Sequence, residues 1–417
     1  MVPCLGEVTV RRNIFNTQSL PPLIPMKAVV FGGAGVIGSY AVQCLAQMNT
    51  FSQITIADAD EKRAQEIVKT SPKIDFIKVD ALDEKSLQKS LDGADVAVNC
   101  IGPFYKFAPK IMNVAIKKGV NYVDVCDDYD ATETLLDEYQ KPAKDASVTC
   151  IVGLGASPGL TNIIAAFGAS QMTSVKEVKV FVVRSIEEGG GGAIPYHMMH
   201  CFLGKIPIFK NGRFEKAQGL VDGEEYVTLP PPIGQVPVWY FGHPETVTIP
   251  RYIKGVQNVC CKGSYLPQYF RDELVKMEAL GLTSDKPIML PGGQSMKPQD
   301  FAAGYIRIIR QRALDAVKPI ASGGSVLVRV SGDVNGNPMV FELSGSSHMR
   351  PGTGTPVAVG AKMLAEGAIK KPGVYAPEGC IPPQNFIMNF MAIEGFGEIW
   401  LSTTQKMTAA LLAKILK

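Results

Sequence analysis

Three carboxylates stand close together in Tyr122-Val-Asp-Val-Cys-Asp-Asp128, namely Asp124, Asp127 and Asp128. Acids at the end of an apolar run can bind a substrate ammonium, or take a proton once burial raises their pKa. Asp127 is expected as the base or ammonium partner, with Asp128 beside it on the substrate. At least one of these acids is also expected to cap the helix starting near Asp130. The chain has four histidines. His197 and His200 lie at i, i+3 and share a helix face if that stretch is helical. No further ligands are spaced to complete a metal site, so no metal is expected and His197 is placed with the substrate. His243 sits in Gly242-His-Pro-Glu245 shortly before Arg251, and His348 in Ser346-Ser-His-Met-Arg350. Each pairs a base with an arginine in a loop-like context, and the guanidinium fork suits a carboxylate. His243 is therefore a candidate acid–base group, and Arg251 and Arg350 are candidate carboxylate clamps.

These groups need a scaffold, and it begins at Lys27-Ala-Val-Val-Phe-Gly-Gly-Ala-Gly-Val-Ile-Gly-Ser39. A β-branched run turns through Gly33, Gly35 and Gly38 into a helical pattern. In such a turn the first glycine allows the tight bend, the second lets backbone approach a pyrophosphate, and the third lets helix and strand pack closely. The phosphates are expected at the helix N-terminus, against Val36, Ile37 and Gly38. A second apolar run, Ile54-Thr-Ile-Ala57, ends in Asp58, where an acid accepts hydrogen bonds from the adenosine ribose. Asp58 repels a 2′-phosphate, which favours NAD; Lys62 and Arg63 shortly after it keep NADP as the alternative. Asp80, Asn99, Gly102 and Pro103 fall at further strand ends and are expected along the cofactor. Tyr105, closing Asn99-Cys-Ile-Gly-Pro-Phe-Tyr105, is expected to reach substrate near the nicotinamide. Gly155-Ala-Ser-Pro-Gly-Leu-Thr-Asn162 reads as a turn into a helix and a wall of the cofactor site.

From Met26 to about Gly153, strand and helix patterns alternate. Strands are predicted at 28–31, 53–57, 74–79, 95–101, 121–125 and 148–152, with helices at 36–48, 60–69, 83–91, 106–118 and 130–146. Crossovers of this length imply an α/β fold with a Rossmann-type, doubly wound parallel sheet. Beyond it the pattern becomes α+β. Strands are predicted at 175–183, 236–241, 246–249 and 255–261, and helices near 267–280 and 300–317. Asn335-Gly336 marks a type I′ hairpin within 325–343. Thr355 and Pro356 read as the N-cap and first residue of a helix over 357–367, and an amphipathic helix is expected over 403–417. The domain plan is an extension (1–25), a dinucleotide-binding domain (26–153), an α+β substrate and dimerisation domain (154–350), and a C-terminal segment (351–417) returning to the first domain.

Composition bounds the alternatives. The chain has 417 residues, 19% of them charged, and a net charge of +3 without basic runs. Nothing in it asks for nucleic acid or a membrane surface, and no apolar run reaches transmembrane length. Nine cysteines, an odd number with no C-x-x-C pair, read as buried hydrophobes in a reducing compartment. A cytoplasmic location is expected. Residues 1–25 hold Arg11-Arg12 but no apolar export core.

Taken together, these motifs resemble the saccharopine dehydrogenase/reductase family. The resemblance rests on the glycine turn at Gly33–Gly38, on Asn99–Tyr105, Tyr122–Asp128 and Ser157–Asn162, and on Gly352-Thr-Gly-Thr-Pro356 through Ala365-Glu-Gly367 to Pro372-Gly-Val374. It covers most of the chain from Met26, but only loosely over 184–300. The group includes lysine 6-dehydrogenase, carboxynorspermidine dehydrogenase and homospermidine synthase. The resemblance implies hydride transfer between a nicotinamide and a C–N bond of an amino acid such as lysine or of a polyamine, in a homodimer. A short-chain dehydrogenase is disfavoured, because none of the thirteen tyrosines has a lysine four residues on. The remaining alternatives are a transferase using bound NAD as an internal hydride store and a non-catalytic nucleotide-binding protein.

Overall fold

The computed structural model describes residues 26–188, 191–316, 322–393 and 399–405. The extension expected at 1–25, residues 406–417 of the expected terminal helix, and part of the Gly189–Gly192 run lie outside the described residues.

The first half builds one parallel sheet from β1 (Met26–Phe31), β2 (Phe51–Asp58), β3 (Ile74–Lys78), β4 (Val96–Asn99), β5 (Asn121–Asp124) and β6 (Thr149–Ile151). The crossovers are α1 (Val36–Gln47), α2 (Glu61–Val68), α3 (Glu84–Ser90), α4 (Phe104–Lys118), α5 (Tyr129–Glu138) and α6 (Gln140–Asp145). Residues 28–31 of β1 and all of β4 are buried, as expected of strands covered on both faces. On α4, Phe104, Ala108, Ile111, Met112 and Ala115 recur at helical spacing and are buried, each large one contributing about 1.5–3 kcal/mol. Gly119 then ends the helix with φ of 70°, a left-handed conformation that favours glycine.

After β6 the chain enters α7 (Leu160–Ser170) and leaves for a second, mixed sheet. Its long central strand is β7 (Ser174–Ser185). The short helix α8 (Ile194–His197) runs directly into a π-type turn, Met198–Phe202. Then come β8 (Lys205–Lys210), β9 (Arg213–Gln218), β10 (Glu225–Leu229), β11 (Gly234–Phe241), α9 (Pro244–Tyr252), β12 (Asn258–Leu266) and α10 (Gln268–Ala279). A small ribbon, β13 (Ile288–Met289) and β14 (Ser295–Met296), precedes α11 (Pro298–Ala316) and the hairpin β15 (Gly324–Val334) and β16 (Asn337–Ser347). Asn335 and Gly336 have φ of 53° and 81°, which the type I′ turn requires. Alternation on β7 divides two cores. Val178, Val180 and Val182 face the helices, while Phe181 and Val183 face a smaller core with Val227, Val236 and Val238.

The chain then recrosses. Helix α12 (Met349–Ala365) packs on α1, and β17 (Gly373–Tyr375) adds a seventh parallel strand beside β6. The first sheet thus has the order β17-β6-β5-β4-β1-β2-β3. After α13 (Pro377–Cys380) and α14 (Pro383–Met391), β18 (Ile399–Gln405) joins β16, giving the order β10-β11-β12-β7-β15-β16-β18.

Four expectations change. Residues 246–249 are helical, because Pro244 starts α9 and tertiary contacts bury its β-branched face, overriding strand propensity. The helix expected from Thr355 starts at Met349, whose N–H is accepted by the Glu188 carboxylate from another element, so Pro356 lies inside the helix. Residues 403–405 are strand, paired with β16, where an amphipathic helix was expected. The C-terminal segment therefore serves both sheets, through β17 and β18.

Among the described residues no helix is long and apolar enough to cross a membrane. In the glycine turn, a Cβ on Gly38 would lie 2.1 Å from the Gly32 carbonyl oxygen, so backbone itself forbids a side chain there. Gly38→Ala should therefore push α1 off β1, lowering the melting temperature and abolishing dinucleotide binding measured by calorimetry. Wild-type affinity in that variant would refute the close-packing role of Gly38.

Candidate active site

The glycine turn and the acid after β2 are locked together. Asp58 accepts a hydrogen bond from the Ala34 N–H at 2.9 Å through Oδ2 and one from the Asp60 N–H at 2.9 Å through Oδ1. This fixes its carboxylate beside the mouth of the turn. Helix α1 carries no side-chain cap and no acid in its first turn, so its N-terminus is suited to an anion. A Cβ on Gly35 would already press the Gly32 oxygen at 3.0 Å. Arg350 reaches this end of α1, its Nη2 donating to Ser39 Oγ at 3.4 Å. It lies beside the phosphate end of the cradle, where a substrate clamp was expected. The cradle fits a dinucleotide, whose phosphates Val36, Ile37 and Gly38 would meet and whose ribose Asp58 would meet. Asp80 lies farther along the strand ends and accepts the Leu82 N–H at 2.8 Å.

Asn99 does not face a cofactor. It is fully buried, donating to Tyr122 Oη at 3.0 Å and accepting the Ile101 N–H at 2.9 Å. Tyr122 donates in turn to Asp124 Oδ2 at 2.8 Å, while Asp124 Oδ1 accepts the Cys126 and Gly153 N–H groups at 3.0 and 2.7 Å. Burial pushes the Asp124 carboxyl up to about 6, against these lowering hydrogen bonds. The network ties together the ends of β4, β5 and β6. Gly102 lies across from the second sheet's connections, where a Cβ would make an ordinary 3.5 Å contact with Ala193. Pro103 follows as the N-cap residue of α4.

Past β5, Asp128 is buried and makes contacts in two directions. Its Oδ2 accepts the Phe104 and Tyr105 N–H groups at 3.1 and 3.3 Å, capping α4 rather than α5. Its Oδ1 lies 3.0 Å from His197 Nδ1. The other imidazole nitrogen, Nε2, lies 3.4 Å from Asp127 Oδ2. Asp127 keeps 34% of its side-chain exposure, against 2% for Asp128. Burial raises the Asp127 pKa and more than offsets the lowering by His197. For Asp128 burial also acts upward, but His197 and the backbone donors win and its pKa falls. Burial opposes a proton on His197, yet Asp127 and Asp128 together raise its pKa. His200 pairs with Asp130 at 3.0 Å and is raised by it. The expected shared helix face of His197 and His200 is opened by the π-type turn, and the two histidines meet different acids.

A second buried cluster lies behind this one. Glu245 Oε2 is 2.6 Å from His243 Nδ1, and its Oε1 accepts the hydroxyls of Ser157 at 2.6 Å and Thr161 at 2.7 Å. Burial disfavours the charged glutamate, but His243 and these donors outweigh it and hold its pKa at about 2. The His243 ring stands 6.1 Å from that of His197. Residues Ser157–Asn162, expected as a cofactor wall, thus include the donors to this acid. Glu245 went unremarked in the sequence, although it stands two residues after the histidine that drew attention.

Arg251 is elsewhere. Its guanidinium binds Asp137 at 2.6 Å and approaches Glu133 at 3.7 Å on the outer side of α5, so it is not a free clamp. Tyr105 is 46% exposed, its ring 5.5 Å from that of His200. His348 binds Glu188 at 2.6 Å at the N-terminus of α12. The arginine that does face the cluster is Arg184, near the end of β7, whose charge acts on Asp127, His197 and Tyr265. Its signal in the sequence was a cation ending the mainly apolar run Val180–Val183.

Residues 29–151 match the family model described as the saccharopine dehydrogenase NADP binding domain. The chain is 22% identical to carboxyaminopropylagmatine dehydrogenase of Synechocystis sp. over 381 residues, covering 86% of this chain and 94% of that protein. It is 24% identical to carboxynorspermidine synthase of Vibrio cholerae over 298 residues, covering 64% and 69%. The fold is that of the saccharopine dehydrogenase (L-Glu forming) of Saccharomyces cerevisiae. That structure superposes over 92% of this chain and 100% of its own, with a TM-score of 0.64 and 16% identity. Residues 29–151 are thus similar to an NADP-binding domain of saccharopine dehydrogenase type, and the α/β architecture agrees with the expectation.

Because the Glu245 pKa is lowered on folding, its stabilising contribution is full above the unfolded carboxylate range and is lost as pH falls towards about 2. Glu245→Gln should cost roughly 3–5 kcal/mol at neutral pH. The gap in melting temperature from wild type should narrow steadily below about pH 4. A gap independent of pH would show that packing, not charge, is what the glutamate supplies.

Proposed function

We propose, from the match of residues 29–151 to the saccharopine dehydrogenase NADP binding domain, that the chain is an NAD(P)-dependent oxidoreductase. It moves a hydride at a C–N bond of an amino-acid or polyamine-like substrate, interconverting amine and imine. The observation that carries this reading is the line Asp128–His197–Asp127. Its inner carboxylate is anchored by backbone, its imidazole is oriented, and its outer carboxylate is open to the cleft. The names of the two curated relatives, a dehydrogenase and a synthase of carboxylated polyamines, support the same class of substrate.

Oxidising CH–NH to C=N releases one hydride equivalent and one proton. A nicotinamide dinucleotide held at the glycine turn would supply the hydride acceptor. The proton needs an acceptor on the protein, and Asp127 is the group placed for it. Burial keeps its pKa above the usual carboxylate range, which brings it closer to a base's working value. His197, 3.4 Å away, shares the charge and passes the proton inward or out. Asp128 holds the imidazole with Nδ1 inward, leaving Nε2 towards Asp127. His243 supports the cluster from behind and is fixed by Glu245. Arg184 is the group for a substrate carboxylate, since no ion pair within 4 Å engages it among the described residues. Arg350 serves the cofactor's phosphates, and Asp58 favours NAD over NADP by repelling a 2′-phosphate.

The first test is a cofactor-coupled assay. Protein with NAD⁺ or NADP⁺ is offered lysine, saccharopine, diamines and carboxylated polyamines at alkaline pH, and reduced nicotinamide is followed by absorbance. Turnover with one of these classes is expected; cofactor binding without turnover on any of them would overturn the reading. Asp127→Asn should lower kcat by about 10²–10⁴. It should also remove the rise of oxidative kcat with pH that titration of Asp127 produces. Asp58→Ser should weaken NAD and shift relative preference towards NADP; an unchanged preference would remove Asp58 from the ribose site.

A further inference from the structure

Beside the charged cluster lies a cavity that the proposed reaction does not use. It encloses about 960 Å³ of empty space, part of it open to solvent. Its walls are mainly apolar: Leu160 and Ile164 of α7, Val182 of β7, Val326 of β15, Leu343 of β16 and Phe390 of α14. A mostly apolar lining with a few polar groups at its margin is the composition of a small-molecule pocket.

The sheet register connects this cavity to the reacting groups. Arg184 on β7 is paired with Tyr265 on β12 on one side and with Gly324 on β15 on the other, and Gly324 is paired with Ser347 on β16. Directly paired residues project to the same face. The row therefore runs from Tyr265, which packs with Phe202 at 5.5 Å between ring centroids, through Arg184, to a glycine without a side chain and then to the cavity. Phe202 in turn packs against His197 at 5.6 Å. Arg184 itself lines the cavity while its charge acts on Asp127 and His197. With it the walls include Val182, Val326 and Leu343. Among the described residues Arg184 has no ion pair within 4 Å, and such a guanidinium in the wall of an apolar chamber matches a molecule with an anionic group at one end of an apolar chain.

We infer that the substrate carries an apolar arm, aliphatic or aromatic, which lodges in this cavity while its carboxylate meets Arg184 and its C–N bond lies towards Asp127. The inference rests on the proposed C–N chemistry and narrows its substrate to N-substituted amino acids built on a hydrophobic skeleton. A short polar polyamine would leave the chamber unfilled. In the reductive direction the covalent change is R–CO–COO⁻ plus an amine losing water to an imine, then gaining one hydride from the reduced nicotinamide and one proton through Asp127.

The experiment uses full-length protein with reduced nicotinamide, an amine donor such as lysine or 1,3-diaminopropane, and straight-chain 2-oxo acids of three to eight carbons. The ratio kcat/KM should rise roughly three- to fourfold for each added methylene until the cavity is full. Val326→Phe should truncate this series, sparing short acids and rejecting long ones, and Leu343→Ala should extend it. Leu343→Phe, from the neighbouring strand, replaces Val326→Phe should that variant fail to fold. Arg184→Met should raise KM for every acid. A flat or falling series in wild type, with the short acids turned over, would overturn the apolar arm and leave the C–N reaction standing.

Calorimetric binding of straight-chain fatty acids in the presence of NAD(P) separates the two ideas. Binding that strengthens with chain length and is lost in Arg184→Met, without turnover of any amine, would keep the apolar ligand and overturn the C–N reading. Neither turnover nor binding would overturn both.

Discussion

The Asp128 carboxylate is the contact on which the cleft depends. One oxygen takes two N–H groups at the start of α4, and the other takes His197 from the turn after α8. It therefore holds a helix of the first sheet's layer and an imidazole of the second sheet's layer with a single buried charge. Such a charge is tolerable only while its donors are all in place. The same requirement sets the separation of the layers: a shift of an ångström would strand an ion in an apolar setting. Asp127, one residue earlier in the chain, inherits a fixed position from this arrangement although its own carboxylate stays partly open.

Glu245 repeats the device in the opposite direction. It starts from the second layer and reaches Ser157 and Thr161 at the entry to α7. Two acids thus cross the cleft reciprocally, each bound to a histidine and to donors on the other side or at its rim. The depressed pKa of Glu245 and the raised pKa of His197 are both products of that reciprocity. The polar groups of the cleft are therefore mostly committed to one another. Among the described residues, Asp127 keeps part of its side chain exposed and Arg184 has no ion pair within 4 Å.

Much of the first sheet was legible because local rules agree there. Apolar runs, a glycine turn and helical spacing all point to the same strands and crossovers, so β1 to β6 and α1 to α4 follow from the chain directly, whereas the single helix expected over 130–146 is broken at Tyr139 into α5 and α6. The strand β17 did not, since Gly373–Tyr375 has too few residues for any pattern and acquires its place only by pairing with β6. The threonines and valine of α9 carry strand propensity that burial overrules. In the site, the acids after β5 and His197 were visible as chemistry-bearing residues at a strand end or on one helical turn. Arg251 and Arg350 misled because a guanidinium's partner is set by tertiary position: the one binds Asp137, and the other reaches Ser39. Arg184 and Glu245 were hidden for the same reason, each being one charge inside a stretch dominated by apolar neighbours.

The late arrival of β17 also bears on how the protein is made. Thr149 of β6 waits for Gly373, about 220 residues further on. At ribosomal rates of roughly 5–20 residues per second, that is about ten to forty-five seconds of synthesis. Throughout that interval the nascent first sheet ends in an uncovered strand edge, the kind of template on which chains pair wrongly. The second sheet must be threaded out and back before the first is closed. An edge left open for that long is where mispairing between nascent chains would begin.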